Sequence, residues 1–162
     1  VATAIDGTIM MVGTIVVVFF ADSFLTPFTA FLTTLGVVIA AWGGVMLADI
    51  ALRHKDYDEP SLFTPSGRYG SVNWGAVASL VVGSLVGWGL VVNASASWLS
   101  WQGYLLGPLG GRNGDWAGAN IGILLAMVVG FVGYWATSAG RVRAQEKLAS
   151  RTYAQGAEEG EQ

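Results

Sequence analysis

The chain has 162 residues, of which 53% are hydrophobic, 12% are charged and 23 are glycine, whereas soluble domains carry roughly 25% charged residues. A net charge of −3 leaves no basic face to neutralise phosphates, so nucleic acid is disfavoured as a partner. Cysteine is absent, which excludes disulfides, thiolate nucleophiles and cysteine-ligated metals.

Four long stretches without Asp, Glu, Lys or Arg predict an all-α membrane protein. A membrane-spanning helix needs about 20 mainly apolar residues. The predicted transmembrane helices cover residues 2–21 (span A), 28–48 (span B), 72–92 (span C) and 117–139 (span D). Span A is charge-free only from Gly7, and its extension to residue 2 places Asp6 inside the helix. A soluble helical bundle would need a polar face on each helix, and these stretches have none. We therefore expect a membrane domain over residues 1–139 and, because apolar residues are few beyond it, a disordered tail over residues 140–162.

Residues 93–111 are also uncharged, but polar residues and Pro108 are too frequent there for a lipid-exposed helix. They predict a loop at the membrane surface. Cytoplasmic flanks of membrane helices collect Lys and Arg. These residues follow spans B and D (Arg53, Lys55, Arg68, Arg141, Arg143, Lys147, Arg151), whereas the loop between C and D has only Arg112. Spans B and D are therefore predicted to run inward, which places the C-terminus in the cytoplasm and the protein in a plasma or inner membrane.

Small residues recur every four positions in three of the spans and predict helix-packing faces. Transmembrane helices associate where small side chains let two backbones approach. These small residues are Gly36, Ala40, Gly44 and Ala48 in span B, Gly75, Ser79, Gly83 and Gly87 in span C, and Gly118, Gly122, Ala126 and Gly130 in span D. The alternative is the general abundance of glycine in membrane helices.

Span B carries two further candidate features. Trp42, Gly43 and Gly44 are gate or hinge candidates, because adjacent glycines weaken a helix by about 1 kcal/mol each; a close-packing point is the alternative. Asp49 and Arg53 have the i,i+4 spacing of a helix-end salt bridge, which is favoured over a proton relay.

Catalytic chemistry is not predicted. His54 is the only histidine and lies in a polar loop, so neither a Ser-His-Asp triad nor a histidine metal site can be assembled within the membrane. We expect no enzyme activity, no catalytic or metal-binding residue and no cofactor.

Several segments resemble a known family. They are the run from Gly36 to Asp49 with the basic Arg53-His54-Lys55 behind it, Val72-Asn73-Trp74, and the loop from Trp101 to Pro108. Together they resemble the C-terminal part of the nucleobase:cation symporter-1 family, in particular its purine-cytosine permease type. That family includes permeases for cytosine, purines, uracil, allantoin and hydantoins, and the resemblance extends to about Gly140.

The resemblance implies the last four helices of a twelve-helix inverted-repeat (LeuT-like) secondary active transporter that works by alternating access. Span A would be the final scaffold helix, span B the gate, and spans C and D a peripheral pair. Relatives often have proline where this chain has Ala40 and Ala41, which implies a milder bend. The family's substrate and cation sites lie on earlier helices, so no substrate-binding residue is expected in this fragment.

The expected partners are the lipid bilayer, the remaining N-terminal helices and a small heterocyclic substrate, with a coupling sodium ion or proton bound outside this fragment. The chain begins with Val1 rather than Met, and we therefore expect a fragment of a longer transporter. The rival hypothesis is a self-contained four-span assembly or scaffold protein without transport activity.

Overall fold

The computed structural model describes residues 2–20, 25–55, 57, 59–64, 69–93 and 96–160. Its helices are α1 (Ala2–Phe20), α2 (Leu25–Leu52), α3 (Glu59–Leu62), α4 (Trp74–Gly89) and α5 (Ile121–Gly160), with short 3₁₀ turns at Ser97–Leu99, Gly107–Leu109 and Ala117–Ala119. The described residues contain no strand, so the all-α prediction is confirmed.

Two helices of the described residues are long and apolar enough to cross a membrane. They are Leu25–Leu52 and the first part of α5, Ile121–Leu148. Shorter apolar helical segments are Thr3–Val16, which lies within α1, and Trp74–Gly89. Spans B and D each coincide with one of these two long apolar helices, and the four-span arrangement is a proposal.

The packed part of the structure consists of α2, α4 and α5. Ala41 and Asp49 of α2, and Arg53 directly after it, meet Gly130, Tyr134 and Gln145 of α5 in that order, so these two helices run parallel. Gly87, Gly83 and Gly75 of α4 meet α5 in the reverse order, so α4 is antiparallel to both. Buried residues of α2 recur at the three- and four-residue spacing of one helix face: Ala30, Val37, Ala41, Gly44, Val45, Ala48, Asp49 and Leu52.

Helix α1 differs from the other long helices because all its described side chains are exposed. They include large apolar residues such as Ile9, Met10 and Phe19, each at least 65% exposed. Exposed apolar surface of this extent is normal for a helix that faces lipid or further helices and unusual for a soluble protein.

Local sequence explains why α4 is shorter than span C. Asn73 caps its first turn: the Asn73 side chain accepts a hydrogen bond from the backbone N–H of Ala76, at 3.3 Å. At the other end, backbone N–H groups of the following loop donate hydrogen bonds to the last carbonyl groups of the helix. Gly103 N–H donates to the carbonyl of Trp88, and Leu105 N–H donates to the carbonyl of Gly89. The helix therefore ends at Gly89.

The start and end of α5 both correct the sequence prediction. Asn120 adopts the left-handed conformation (φ 48°), which separates the 3₁₀ turn Ala117–Ala119 from α5, so the helix begins at Ile121. The tail predicted to be disordered from residue 140 is instead helical as far as Gly160. Tertiary contacts explain the first part of this extension, because Val142 packs in a buried cluster with Leu52.

Candidate functional site

Helix α2 carries most of the residues that the sequence singles out, and α4 and α5 hold it at three levels. We name these levels the Asp49 cluster (Asp49, Arg53, Tyr57, Asn73, Tyr134 and Gln145), the glycine seam (Ala41, Gly44, Gly83, Gly87, Gly122 and Gly130) and the Thr34 cap (Ala30, Thr34, Trp88, Asn93 and Gln102).

In the Asp49 cluster one carboxylate accepts three hydrogen bonds. Arg53 Nε lies 2.9 Å from Asp49 Oδ2, so the structure brings the predicted salt-bridge pair together. The hydroxyl of Tyr134 donates to Oδ1 and that of Tyr57 donates to Oδ2. Asp49 is 8% exposed and Tyr134 is 3% exposed. A buried charge is tolerated where it is paired and hydrogen-bonded in this way.

The same cluster ties three parts of the chain together. Arg53 Nη2 donates to Gln145 Oε1 of α5 at 3.2 Å. The Arg53 guanidinium also lies 4.4 Å from the centre of the Tyr57 ring, a cation–π geometry. Asn73, which caps α4, donates from Nδ2 to the Tyr134 hydroxyl at 3.4 Å. The end of α2, the start of α4 and the middle of α5 therefore share one polar network.

Two further contacts extend this network into the loop behind α2. Partial burial and the hydrogen bond to the Asp49 carboxylate raise the pKa of the Tyr57 hydroxyl above its ordinary value of 10.0. Glu146 Oε1 accepts hydrogen bonds from the backbone N–H groups of His54, at 2.6 Å, and Lys55, at 3.2 Å. These bonds hold the loop after α2 against α5.

The glycine seam brings helix backbones into direct contact. A Cβ at Gly44 would overlap the carbonyl of Met127, and one at Gly130 would overlap the carbonyl of Ala41. A Cβ at Gly83 would lie 2.9 Å from the carbonyl oxygen of Ala126 and 3.1 Å from Ala41 Cβ. Side chains at these positions would therefore force the helices apart, which is the packing mode of small residues in membrane helices.

Four of the six glycines proposed for packing lie in such contacts: Gly83, Gly87, Gly122 and Gly130. The other two make no such contact within the described residues. Gly118 lies in the 3₁₀ turn before α5, and neither Gly118 nor Gly36 has an atom within 4 Å of its hypothetical Cβ. A strict four-residue repeat drifts around an α-helix by about 40° per step, so Gly36 lies about 80° from Gly44, whereas Val37 lies within about 20°. Val37 accordingly occupies the buried face.

The gate or hinge candidates lie in unbroken helix, because α2 is continuous from Leu25 to Leu52. Trp42 is 55% exposed. Gly44 lies against α5, so packing accounts for its missing side chain, whereas the hypothetical Cβ of Gly43 has nothing within 4 Å. Of the two glycines among the hinge candidates, only Gly43 has no packing contact that accounts for its missing side chain, so Gly43 is the position at which helix flexibility can be tested.

The hydrogen bonds of the Thr34 cap hold the first half of α2 against α4 and the loop that follows α4. Trp88 Nε1 donates to the Thr34 carbonyl at 3.0 Å, and Gln102 Nε2 donates to the Thr34 hydroxyl at 3.0 Å. Asn93 Nδ2 donates to the carbonyl of Ala30 at 2.9 Å. Gln102 is fully buried, so the loop predicted at the membrane surface folds back onto α2 while Trp98 and Tyr104 remain exposed. Sequence reasoning missed this role, because Gln102 counted there only as a polar residue disfavouring a span.

The chemistry of these three levels is structural. In the described part of the chain no group of three His, Asp or Glu side chains could hold a metal ion. The His54 side chain is 82% exposed. The polar groups bond one helix to another. The fold and these contacts together define an all-helical protein with two helices long and apolar enough to cross a membrane, in which polar side chains join one helix to another.

Comparison with known families agrees with that class. The family model described as "Permease for cytosine/purines, uracil, thiamine, allantoin" matches residues 1–107. The match covers most of the chain, and the chain therefore belongs to this family of permeases. The resemblance found in the sequence is confirmed, and the family consists of membrane transporters rather than enzymes. No curated protein and no solved structure matches the chain.

Proposed function

We propose that the chain forms part of a cation symporter for nucleobases or related heterocycles such as cytosine, purines or allantoin, working by alternating access. The observation that carries this proposal is the permease-family match over residues 1–107, which includes α1, α2 and α4. In this proposal α1, α2, α4 and α5 are the last four helices of a twelve-helix inverted-repeat transporter. Residues 1–139 are then its membrane domain in this chain.

The orientation proposed for the helices places the C-terminus in the cytoplasm of a plasma or inner membrane. The antiparallel course of α4 supports it, because α2 and α5 then end on the same side. Arg53 and Lys55 follow α2, and Arg141 lies in the second half of α5, so the Lys- and Arg-rich segments share that side. The exposed apolar side chains of α1 support contact with lipid or with further helices of the same transporter.

Substrate and coupling ion are proposed to bind on those further helices, with sodium or a proton as the ion and no other cofactor. Uptake of labelled cytosine, adenine, uracil and allantoin by the full-length protein, with and without a sodium or proton gradient, tests the proposal. We expect gradient-dependent uptake of at least one substrate. A protein that inserts into the membrane but takes up none of them would contradict it and favour the scaffold hypothesis.

Within this proposal α2 is the gate, and it can act by bending near Trp42, Gly43 and Gly44 or by rocking as a whole. Gly43→Ala separates the two modes. Its methyl group meets nothing within 4 Å, and it stiffens the helix by about 1 kcal/mol. Gly36→Ala is the matched control, because it also has open space but lies two turns from the candidate hinge. Bending predicts slower uptake for Gly43→Ala only, whereas rocking predicts wild-type uptake for both variants.

A further inference from the structure

We propose that α5 carries a binding site for an anionic phospholipid, with Arg143 and Lys147 at the headgroup and a groove beside Trp135 for an acyl chain. This inference rests on one part of the proposed function, the placement of α5 in the membrane. Three observations lead to it: an apolar groove on the exposed face of α5, two cations on the same face beyond that groove, and the fact that neither cation has a partner among the described residues.

The groove lies on the side of α5 that does not pack against α2 or α4. It has a volume of about 400 Å³ and is lined only by apolar side chains, those of Phe131, Val132, Trp135 and Ala136. The rings of Phe131 and Trp135 stack with their centres 5.7 Å apart. Val132 is 55% exposed and Trp135 is 40% exposed. An acyl chain matches such a groove, because it offers apolar contact and requires no polar partner.

The two cations continue the same face of the helix. Arg143 lies seven positions and Lys147 eleven positions after Ala136, so each lies within about 20° of Ala136 around the helix axis. Both side chains are exposed. Side chains of an α-helix are inclined toward its N-terminus, so these two long side chains reach back toward the groove. The groove and the cations therefore form one continuous strip along α5.

The distances along α5 fit a phospholipid in a bilayer. Residues 121–140 are uncharged and measure about 30 Å, the thickness of the hydrocarbon layer. Arg143 then lies about 5 Å beyond this layer, at the level of the phosphate groups. The exposed Trp74 adjoins Gly75, whose hypothetical Cβ lies 2.8 Å from Thr137 Oγ1, so an amphipathic ring lies just below that level, as is usual at membrane interfaces.

Arg143 and Lys147 are also available to an external anion. Within the described part of the chain neither forms a hydrogen bond or an ion pair. Arg141, by contrast, holds the loop before α4, because its Nη2 donates to the carbonyl of Tyr69 at 2.5 Å. The acidic residue between the two cations, Glu146, accepts hydrogen bonds from backbone N–H groups of the loop after α2. Lys and Arg in this position next to a membrane helix attract anionic lipids.

Quenching by brominated lipids tests the inference in the full-length protein, made free of other cysteines and reconstituted in nanodiscs. A bimane fluorophore is attached to Val128→Cys. This position is 43% exposed, lies one helical turn before Val132 and is outside the groove lining. Brominated acyl chains quench the fluorophore on contact. Mixtures of brominated phosphatidylglycerol or brominated phosphatidylcholine with unbrominated lipid therefore give the relative affinity of the strip for the two headgroups.

We expect phosphatidylglycerol to be preferred by about fivefold at low ionic strength, with a smaller preference as salt is added. Arg143→Gln/Lys147→Gln should reduce the preference to less than about twofold. The matched control is Arg143→Lys/Lys147→Arg, which keeps both charges and should keep the preference.

Equal affinities for the two lipids, or a preference that survives in the glutamine variant, would overturn the inference. Quenching by neither lipid would also overturn it, because another helix would then cover the groove. Loss of the preference on addition of inorganic phosphate at constant ionic strength would assign the cations to a free anion instead of a lipid. Uptake is not part of this measurement, so a full-length protein without uptake contradicts the proposed function and leaves the lipid result interpretable.

Discussion

At the scale of single residues, Asp49 shows how a charge is accommodated near the end of an apolar helix. Its salt bridge with Arg53 could be predicted, because the two lie one helical turn apart in the same chain segment. Its bond with Tyr134 could not, since 85 positions separate the two residues and a tyrosine in an apolar span counts as one more hydrophobic residue. The one indication in the sequence is the hydroxyl group of Tyr134 itself, because a tyrosine hydroxyl within an apolar helix needs a hydrogen-bond partner when it is buried.

Replacing Tyr134 with phenylalanine tests this cross-helix bond. The variant keeps the ring, removes one donor from Asp49 and leaves Asn73 Nδ2 without that acceptor. We expect a loss of about 1 kcal/mol in the free energy of unfolding, the usual value of a hydrogen bond between membrane helices or slightly more. Denaturant unfolding of the purified protein in detergent, followed by circular dichroism, measures it.

Tyr57→Phe is the matched control for Tyr134→Phe. It removes a donor from the same carboxylate, but the Tyr57 side chain is 43% exposed and water can replace its hydroxyl. We expect a smaller loss than for Tyr134→Phe. Equal losses for the two variants would show that the hydrogen bond between α2 and α5 contributes no more to the free energy of unfolding than the bond to the exposed Tyr57.

At the scale of the helices, the sequence predicted their existence and approximate centres better than their faces and ends. Long apolar stretches with few or no charged residues indicated all four long helices, because the apolar content that spans a membrane is a local property. The packing faces depend on the 3.6-residue period, which a strict four-residue repeat only approximates, so Val37 rather than Gly36 lies on the face that packs against α4 and α5. The extension of α5 depends on partners at the end of α2 and in the loop after it, such as Leu52 and the backbone N–H groups that donate to Glu146, and these partners are remote in the sequence.

Gly130→Ala tests the glycine seam. Its methyl group would overlap the Ala41 carbonyl, so α2 and α5 must separate slightly. We expect this overpacking, at about 1–3 kcal/mol, to outweigh the gain of about 1 kcal/mol in helix propensity. Thermal unfolding in detergent should therefore show a lower midpoint for the variant.

The control for the seam is Gly36→Ala, which has the same chemistry in the interior of a helix but open space around the new methyl group. It should leave the midpoint unchanged or raise it. A Gly130→Ala protein as stable as Gly36→Ala would contradict the close contact of α2 and α5.

At the scale of the whole molecule, α2 and α5 run in one direction and α4 in the other, so the packed helices have two distinct ends. The Asp49 cluster and the loop after α2 lie at one end, and the Thr34 cap with the loop before α5 lies at the other. The proposed orientation places the first end in the cytoplasm.

Labelling of single cysteines in the full-length protein tests this orientation. Asn113 lies in the loop before α5 and Lys147 lies beyond the Asp49 cluster on α5, and both side chains are exposed. We expect a membrane-impermeant maleimide to modify Asn113→Cys in intact cells and Lys147→Cys only after permeabilisation. The reverse pattern would invert the topology while leaving the helix packing intact.

The length of α5 has a practical consequence for experiments that follow helix movements during transport. Its forty residues measure about 60 Å, roughly twice the thickness of the hydrocarbon layer, so one part of the helix must project from the bilayer. The projecting part continues the segment that packs on α2, and a tilt of that segment swings the far end through a larger arc. A spectroscopic probe attached near residue 148 would thus register, in the aqueous phase, rearrangements that take place within the lipid.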